Sequence, residues 1–193
     1  LLARRDFPGK LAVDAVVHLP LVLPPVVVGF ALLLLLGRNG PLGALLAPLG
    51  ITFAFRWTGA ALAAAVMGFP LLVRALRLSL EAMDVRLESA ARTLGAGPWR
   101  VFFTVTIPLI LPGIVTGVLL AFARSLGEFG ATITFVSNIP GETQTLPLAI
   151  YQATQVPGGE GAALALSGIS VALSLAALAG SEWLARRARR GSA

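Results

Sequence analysis

Four long apolar segments, separated by shorter polar stretches, constrain the fold of this chain more than any other feature. Each is long enough to cross the roughly 30 Å hydrocarbon layer of a bilayer as a helix. The segments are residues 11–36, 57–80, 101–123 and 161–185. Only 12% of the residues are charged, whereas soluble domains average about 25%. We therefore predict an all-α, polytopic transmembrane helical bundle that forms a single domain over residues 1–193.

The first apolar segment contains Pro20, Pro24 and Pro25, which are expected to kink or break it. Carbonyls freed by such a break must be satisfied inside a membrane by neighbouring groups or by water. The segment is therefore expected inside the bundle, either beside a polar path or as a simply kinked, packed span. Residues 1–10 are expected to be the end of a further span that this chain lacks, followed by a basic loop. A short disordered terminus is the alternative.

Two stretches between the apolar segments are too polar, or too rich in Gly and Pro, to cross a membrane. Residues 37–56 are expected to form a loop with one short interfacial helix. Residues 127–160 are expected to form an external loop with short helices, one of them near 145–155.

Basic residues cluster at the ends of the apolar segments, as they do in membrane proteins. With four alternating spans, most Lys and Arg lie on the side that holds residues 1–10, 81–100 and the C-terminus. The positive-inside rule makes this side cytoplasmic. The sequence therefore predicts a multi-pass protein of the cytoplasmic (inner) membrane of a prokaryote, with a cytoplasmic C-terminus. Because aromatic residues are not interleaved with the basic ones, no nucleic-acid partner is expected.

The residue content argues against an enzyme. The chain has no Cys and a single His, His18, so neither thiolate nor His-rich metal sites are available. It has no G-x-x-x-x-G-K-[ST] motif for ATP, no Ser/His/Asp set and no paired carboxylates. Asp14 and His18, four residues apart, are expected to be an interfacial pair or a small polar relay. We therefore assign no catalytic and no metal-binding residues.

A charged stretch between the second and third apolar segments has the pattern of a short amphipathic helix over residues 84–97. Glu88 and Arg92 have the spacing and order of a helical ion pair, and Gly95 and Gly97 are expected to end the helix. One face carries small and apolar side chains that would let another surface approach closely. These residues are Leu87, Ala90, Ala91 and Leu94.

The run Ala-Ala-Arg-Thr-Leu-Gly at 90–95, followed by Ile107-Pro108, resembles the EAA loop of ABC-importer permeases. That resemblance implies a cytoplasmic coupling helix that docks on a separate ATP-hydrolysing subunit. Ser89 stands where the usual pattern has Glu, and Glu88 lies one residue earlier. An amphipathic surface helix without a partner is the alternative. By resemblance, the coupling residues are Glu88, Ser89, Ala90, Ala91, Arg92, Leu94 and Gly95.

A second informative stretch begins where the third apolar segment reaches the outer side. Arg124 brings positive charge, and the glycines at 127 and 130 expose backbone N–H groups, which together suit an oxyanion. Glu128 would oppose an anion unless it pairs with Arg124. A helix end capped by a glycine turn is the alternative interpretation. The candidate residues of an oxyanion path or gate are Arg124, Ser125, Gly127, Thr132, Thr134 and Ser137.

A narrower resemblance rests on residues 18–30, 90–103 and 125–151, the last beginning SLGEFGATITF. These stretches resemble permeases for tetrahedral oxyanions, and the overall match favours the molybdate importers over sulfate importers. The resemblance implies the type I importer fold, a homodimeric pore, two ABC ATPase subunits and an external substrate-binding protein. It also implies that this chain binds no cofactor, because ATP and Mg²⁺ belong to the ATPase. Sulfate, thiosulfate or tungstate remain alternative cargoes. An ion channel or regulatory membrane subunit without an ATPase is the alternative class.

Overall fold

The chain folds into a bundle of helices, and the computed structural model describes residues 6–190, with side chains except at 181, 182 and 184–190. The first half contains α1 Lys10–Val22, α2 Pro25–Leu36, α3 Pro41–Leu46, a 3₁₀ turn at Ala47–Leu49, and α4 Trp57–Ala82. The second half contains α5 Val85–Thr93, α6 Pro98–Val101, a π turn at Phe102–Thr106, α7 Ile107–Leu126, α8 Gly130–Val136, α9 Leu146–Thr154 and α10 Glu160–Arg190. The all-α prediction is confirmed.

Three helical stretches of the described chain are long and apolar enough to cross a bilayer. They are Trp57–Ala82, Pro98–Leu126 and Glu160–Gly180. The helix pair α1 and α2 passes the same test together, but the chain bends by 118° between the two helices. The third predicted span, 101–123, is therefore too short, because the helical path runs continuously from α6 through the π turn into α7.

The first predicted span is two helices rather than one. Leu23 is extended, and Pro24 and Pro25 follow it, so no helical N–H is available to continue α1. The predicted break is confirmed at Pro24 and Pro25, whereas Pro20 lies inside α1 without ending it. No residue of α1 is buried within this chain. In the single chain, α1 therefore lies at the surface of the bundle and not inside it.

Helices α4 and α7 pack closely because small residues face one another along their contact. A Cβ on Gly68 would lie 3.0 Å from the backbone oxygen of Ala121, and one on Gly117 would lie 3.0 Å from Cβ of Ala75. Gly113 faces Ser79 still more closely. Small residues at membrane helix contacts let backbones approach and gain van der Waals contact along the whole interface.

The stretch 127–160, predicted as an external loop with short helices, contains the short helices α8 and α9. Helix α8 packs against α2 and α4, and Ala131, Phe135 and Val136 are fully buried there. Gly29 of α2 meets the backbone of Ala131 directly, where a side chain would collide. The short helix predicted at 145–155 is confirmed as α9, and the short helix within 37–56 is confirmed as α3. The cluster around α8 is the main buried core.

Two parts of the sequence interpretation fall outside the described structure. The basic residues Arg4 and Arg5, and the apolar start of the chain, lie outside the described residues. The arginines at 186, 187, 189 and 190 lie at the end of α10, where side chains are not described.

We predict that Gly68→Leu destabilises the protein, whereas Gly168→Leu does not. The first places a side chain against the backbone of α7, whereas nothing lies within 4 Å of a Cβ on Gly168. Overpacking of this kind costs about 1–3 kcal/mol. Thermal unfolding of the two detergent-purified variants measures the difference, and equal melting temperatures would contradict the close α4–α7 contact.

Candidate functional site

Helix α5 is a self-contained element with a defined start and stop. Asp84 caps its N-terminus by accepting the backbone N–H of Arg86 at 2.9 Å. At the other end, Gly95 has φ 84° and donates to the carbonyl of Arg92, while Ala96 donates to that of Ala91. This is a Schellman motif, and its left-handed position favours glycine. The helix therefore ends at Thr93, earlier than the predicted 84–97, and Gly95 serves as its stop.

The outer face of α5 is uncovered within this chain. Leu94 is 88% exposed and Leu87 48% exposed, while Ala90 is exposed and Ala91 half-buried. The Ser89 hydroxyl donates to the carbonyl of Val85 at 3.3 Å, so it is engaged with its own helix. Small and apolar side chains thus form the exposed surface that the sequence predicted.

Glu88 differs from the other predicted coupling residues because its side chain lies beneath α5. The residue is 7% exposed, and Oε1 accepts a hydrogen bond from Thr106 Oγ1 at 2.7 Å. Arg92 Nη2 lies 3.9 Å from Oε2, so the predicted i, i+4 pair forms loosely. Glu88 is therefore not part of the exposed face of α5 in this chain. No periodic signal in the sequence joins Glu88 to Thr106, eighteen positions away.

At the far end of α7, Arg124 and Glu128 form the ion pair that the sequence left open. Arg124 Nη1 lies 2.8 Å from Glu128 Oε2, and Glu128 is 2% exposed. The other carboxylate oxygen accepts the backbone N–H of Ala131 at 2.8 Å, in the first turn of α8. Glu128 therefore neutralises Arg124 and also joins the end of α7 to the start of α8.

The remaining residues of the candidate oxyanion path lie close to this pair in sequence, and their hydroxyls have defined partners. Ser125 Oγ lies 2.8 Å from the carbonyl of Ala121 and 3.1 Å from that of Ala64 in α4. Thr134 donates to the carbonyl of Gly130 at 2.8 Å.

The other three candidates differ in exposure and backbone conformation. Thr132 is buried and Gly127 is exposed at the end of α7. Ser137 adopts a positive φ of 63°, and its carbonyl accepts from Thr143 Oγ1 at 3.1 Å. The hydrogen bonds of these residues hold the segments on either side of α8 in place. Arg124 is the one charged residue among the six candidates.

A second charge network joins α1 to α4, and the sequence showed only part of it. Asp14 Oδ1 lies 3.2 Å from Arg77 Nη1, and Arg77 Nε donates to Glu81 at 2.9 Å. His18 Nδ1 lies 2.9 Å from the carbonyl oxygen of Asp14. The i, i+4 spacing of Arg77 and Glu81 was visible in the sequence, whereas the bridge to Asp14 depends on how α1 meets α4. The geometry favours an inter-helix ion network over a relay.

Two further electrostatic observations concern the described residues. Ahead of α1, a hydrogen bond from Lys10 and its positive charge hold the pKa of Asp6 below its ordinary value. In the part of the chain that the structure describes, no three acidic or His residues are grouped so that they could hold a metal ion.

Comparison with known proteins places this chain among transport subunits. The profile of the family described as "Binding-protein-dependent transport system inner membrane component" matches residues 1–190. The "Molybdenum transport system permease protein ModB" of Escherichia coli (strain K12) is 66% identical over 190 residues, which are 98% of this chain and 83% of that protein. The protein of the same name from Haemophilus influenzae is 58% identical over 98% of this chain and 83% of the relative.

More distant similarity is found both in sequence and in structure. The "Sulfate transport system permease protein CysW" of Synechococcus elongatus is 44% identical over 92% of this chain and 63% of that protein. A chain of a bacterial ABC transporter that imports the acidic polysaccharide alginate superposes with a TM-score of 0.68 at 18% identity, over 96% of this chain and 69% of that chain. The fold is therefore that of ABC transporter permeases, and these relatives are transport permeases rather than enzymes.

The extent of the profile match and the identity to the two bacterial permeases lead to one conclusion. The chain belongs to the family of binding-protein-dependent transport system inner membrane components, which are multi-pass proteins of the inner membrane.

Proposed function

We propose that this chain is the membrane permease subunit of an ATP-driven importer that carries molybdate into the cell. The exposed small-residue face of α5 is the observation that supports coupling to an ATPase. Helix α5 lies in sequence between two long apolar helices and has a defined cap at each end. A separate ABC ATPase, which would hold ATP and Mg²⁺, docks on this face. The residues offered to it are Ala90, Ala91, Leu94 and neighbouring Leu87.

The proposed cargo rests on the names of the most similar relatives and on the charge and shape of the candidate anions. The molybdenum permeases of Escherichia coli and Haemophilus influenzae are 66% and 58% identical, whereas the sulfate permease from Synechococcus and the molybdenum permease of Azotobacter vinelandii are each 44% identical. Molybdate is therefore the first choice, sulfate or thiosulfate the second, and tungstate shares the charge and shape of molybdate. Uptake of labelled molybdate into proteoliposomes, in competition with sulfate and with tungstate, tests this choice.

The assembly follows from the same proposal. Two copies of the permease would enclose the pore, two ATPase subunits would bind on the cytoplasmic side, and an external binding protein would deliver the anion. The placement of α5 and the C-terminus in the cytoplasm follows from the distribution of basic residues. Closure of the ATPases would then move α5 and, with it, the spans that α5 connects.

The proposed anion path includes Arg124, whose charge is held by buried Glu128. An oxyanion that reaches Arg124 would take the place of this carboxylate, because both are acceptors for the same guanidinium N–H groups. Ser125, Gly127, Thr132, Thr134 and Ser137 would shape the path around it. The 30% exposure of the Arg124 side chain leaves it open to such a ligand.

We predict that Ala90→Asp abolishes co-purification of the permease with its ATPase while the chain stays in the membrane. The substitution places a carboxylate on the exposed face of α5, where a close apolar contact would have to desolvate it. Val85→Asp is the matched control, because it adds the same charge to the first turn of α5, about 140° around the helix at 3.6 residues per turn. Unchanged assembly of Ala90→Asp, or ion flux through the purified permease alone, would contradict the proposal.

We predict that the double variant Arg124→Gln, Glu128→Gln folds but loses most molybdate uptake. Replacing both partners avoids leaving a buried carboxylate unpaired, which in a single Arg124 variant would cost about 3–5 kcal/mol. Glu128→Gln alone is the control, since it keeps the arginine charge and an oxygen that can accept from Ala131. Uptake normalised to protein level is the measurement, and equal uptake by the double variant and wild type would leave Arg124 a structural residue.

A further inference from the structure

The hydrogen bond between Glu88 and Thr106 joins the proposed coupling helix to the span that follows it. Glu88 Oε1 accepts from Thr106 Oγ1 at 2.7 Å, and the two residues are 7% and 5% exposed. A hydrogen bond to a carboxylate is stronger than one between neutral groups. Glu88 is also the residue of α5 that is buried, so its side chain anchors that helix to the protein beneath.

Thr106 occupies a special place in its own element. It is the last residue of the π turn at Phe102–Thr106, where Ile107 donates its N–H to the carbonyl of Phe102, five residues earlier. Pro108 follows and has no N–H, so this turn cannot form a full set of α-helical bonds. Turns of this π type are rare in proteins, and those that occur are often found at functional sites. Helix α5 packs on α6 and on this same turn.

Beyond the π turn, α7 behaves as a stiff connection to the other end of the bundle. It contains Pro112, which removes one backbone hydrogen bond, but the turns that follow pack on α4 through Gly113, Gly117 and Ala121, and this contact limits bending. From Thr106 to Arg124 the helix rises about 27 Å at 1.5 Å per residue. A displacement of its first turn therefore reaches the Arg124–Glu128 pair as a movement of one rigid element.

We propose that the Glu88–Thr106 hydrogen bond is the link that transmits displacement of α5 to α7. Glu88 is then a positioning residue that acts from beneath the coupling helix, rather than an acid that contacts the ATPase. This inference rests on the proposed function, because it takes α5 as the element that the ATPase moves. It adds the route by which that movement enters the membrane-spanning part.

The test uses the full permease reconstituted with its ATPase and binding protein. Thr106→Val removes the hydroxyl at nearly constant volume, and Thr106→Ser restores it. Thr104→Val is the matched control, because Thr104 lies in the same π turn but its hydroxyl donates to the carbonyl of Arg100 on its own helix. Co-purification, membrane level and molybdate uptake per ATP hydrolysed are measured for each variant.

We expect Thr106→Val to assemble normally but to lose at least about fivefold in uptake per ATP, the lower end of usual coupling energies. Thr106→Ser and Thr104→Val are expected to stay within about twofold of wild type. Uptake per ATP at the wild-type level in assembled Thr106→Val would overturn the inference alone. Failure of the wild-type permease to bind the ATPase would instead overturn the proposed function.

A distance measurement tests the link even if Thr106→Val fails to fold. The chain has no Cys, so Arg86→Cys on α5 and Phe122→Cys on α7 give two clean spin-label sites on exposed positions. In the otherwise wild-type protein the α5–α7 distance should stay constant when ATP is added, because the two helices move together. A distance that changes with ATP would overturn the inference, whereas Thr106→Val is expected to produce that change.

Discussion

The close contact between α4 and α7 is the interaction on which the rest of the structure depends. Glycine and alanine line this contact, so the two backbones approach along much of their length. In a membrane no hydrophobic effect drives helices together, and close van der Waals packing must take its place. Because α4 and α7 are fixed in this way, the short segment between them forms a compact turn at one end of the bundle. Helix α5 is presented there with one face open.

Two groups of charged residues inside or beside the long helices form ion pairs. Arg77 is held by Asp14 and Glu81, and Arg124 is held by Glu128. Charges within a membrane are costly unless they are paired or wet, which makes such pairs informative about position and role. The first network joins α1 to α4, and the second joins the end of α7 to the start of α8. Each group therefore connects two elements of the bundle.

The sequence predicted the membrane class, the presence of long apolar helices and the small-residue face of α5, because these depend on local periodicity and composition. It did not determine features that depend on neighbours. Pro20 lies within a continuous helix, whereas Pro24 ends one. Residues 130–136 were assigned to an external loop, yet α8 is buried because glycine at position 29 lets its backbone approach that of α2. A β-branched stretch among polar residues carries no local signal of such burial.

By itself the sequence determined that this chain crosses a membrane and that a small-residue helix interrupts its apolar segments, since apolar length and helical period are properties of consecutive residues. Its likeness to importer permeases was likewise carried by short contiguous motifs. Only the tertiary structure decided where Glu88 points, what Glu128 neutralises and which helix Arg77 bridges. Those contacts join residues on different elements, and their partners are set by how the helices pack against one another rather than by spacing along the chain.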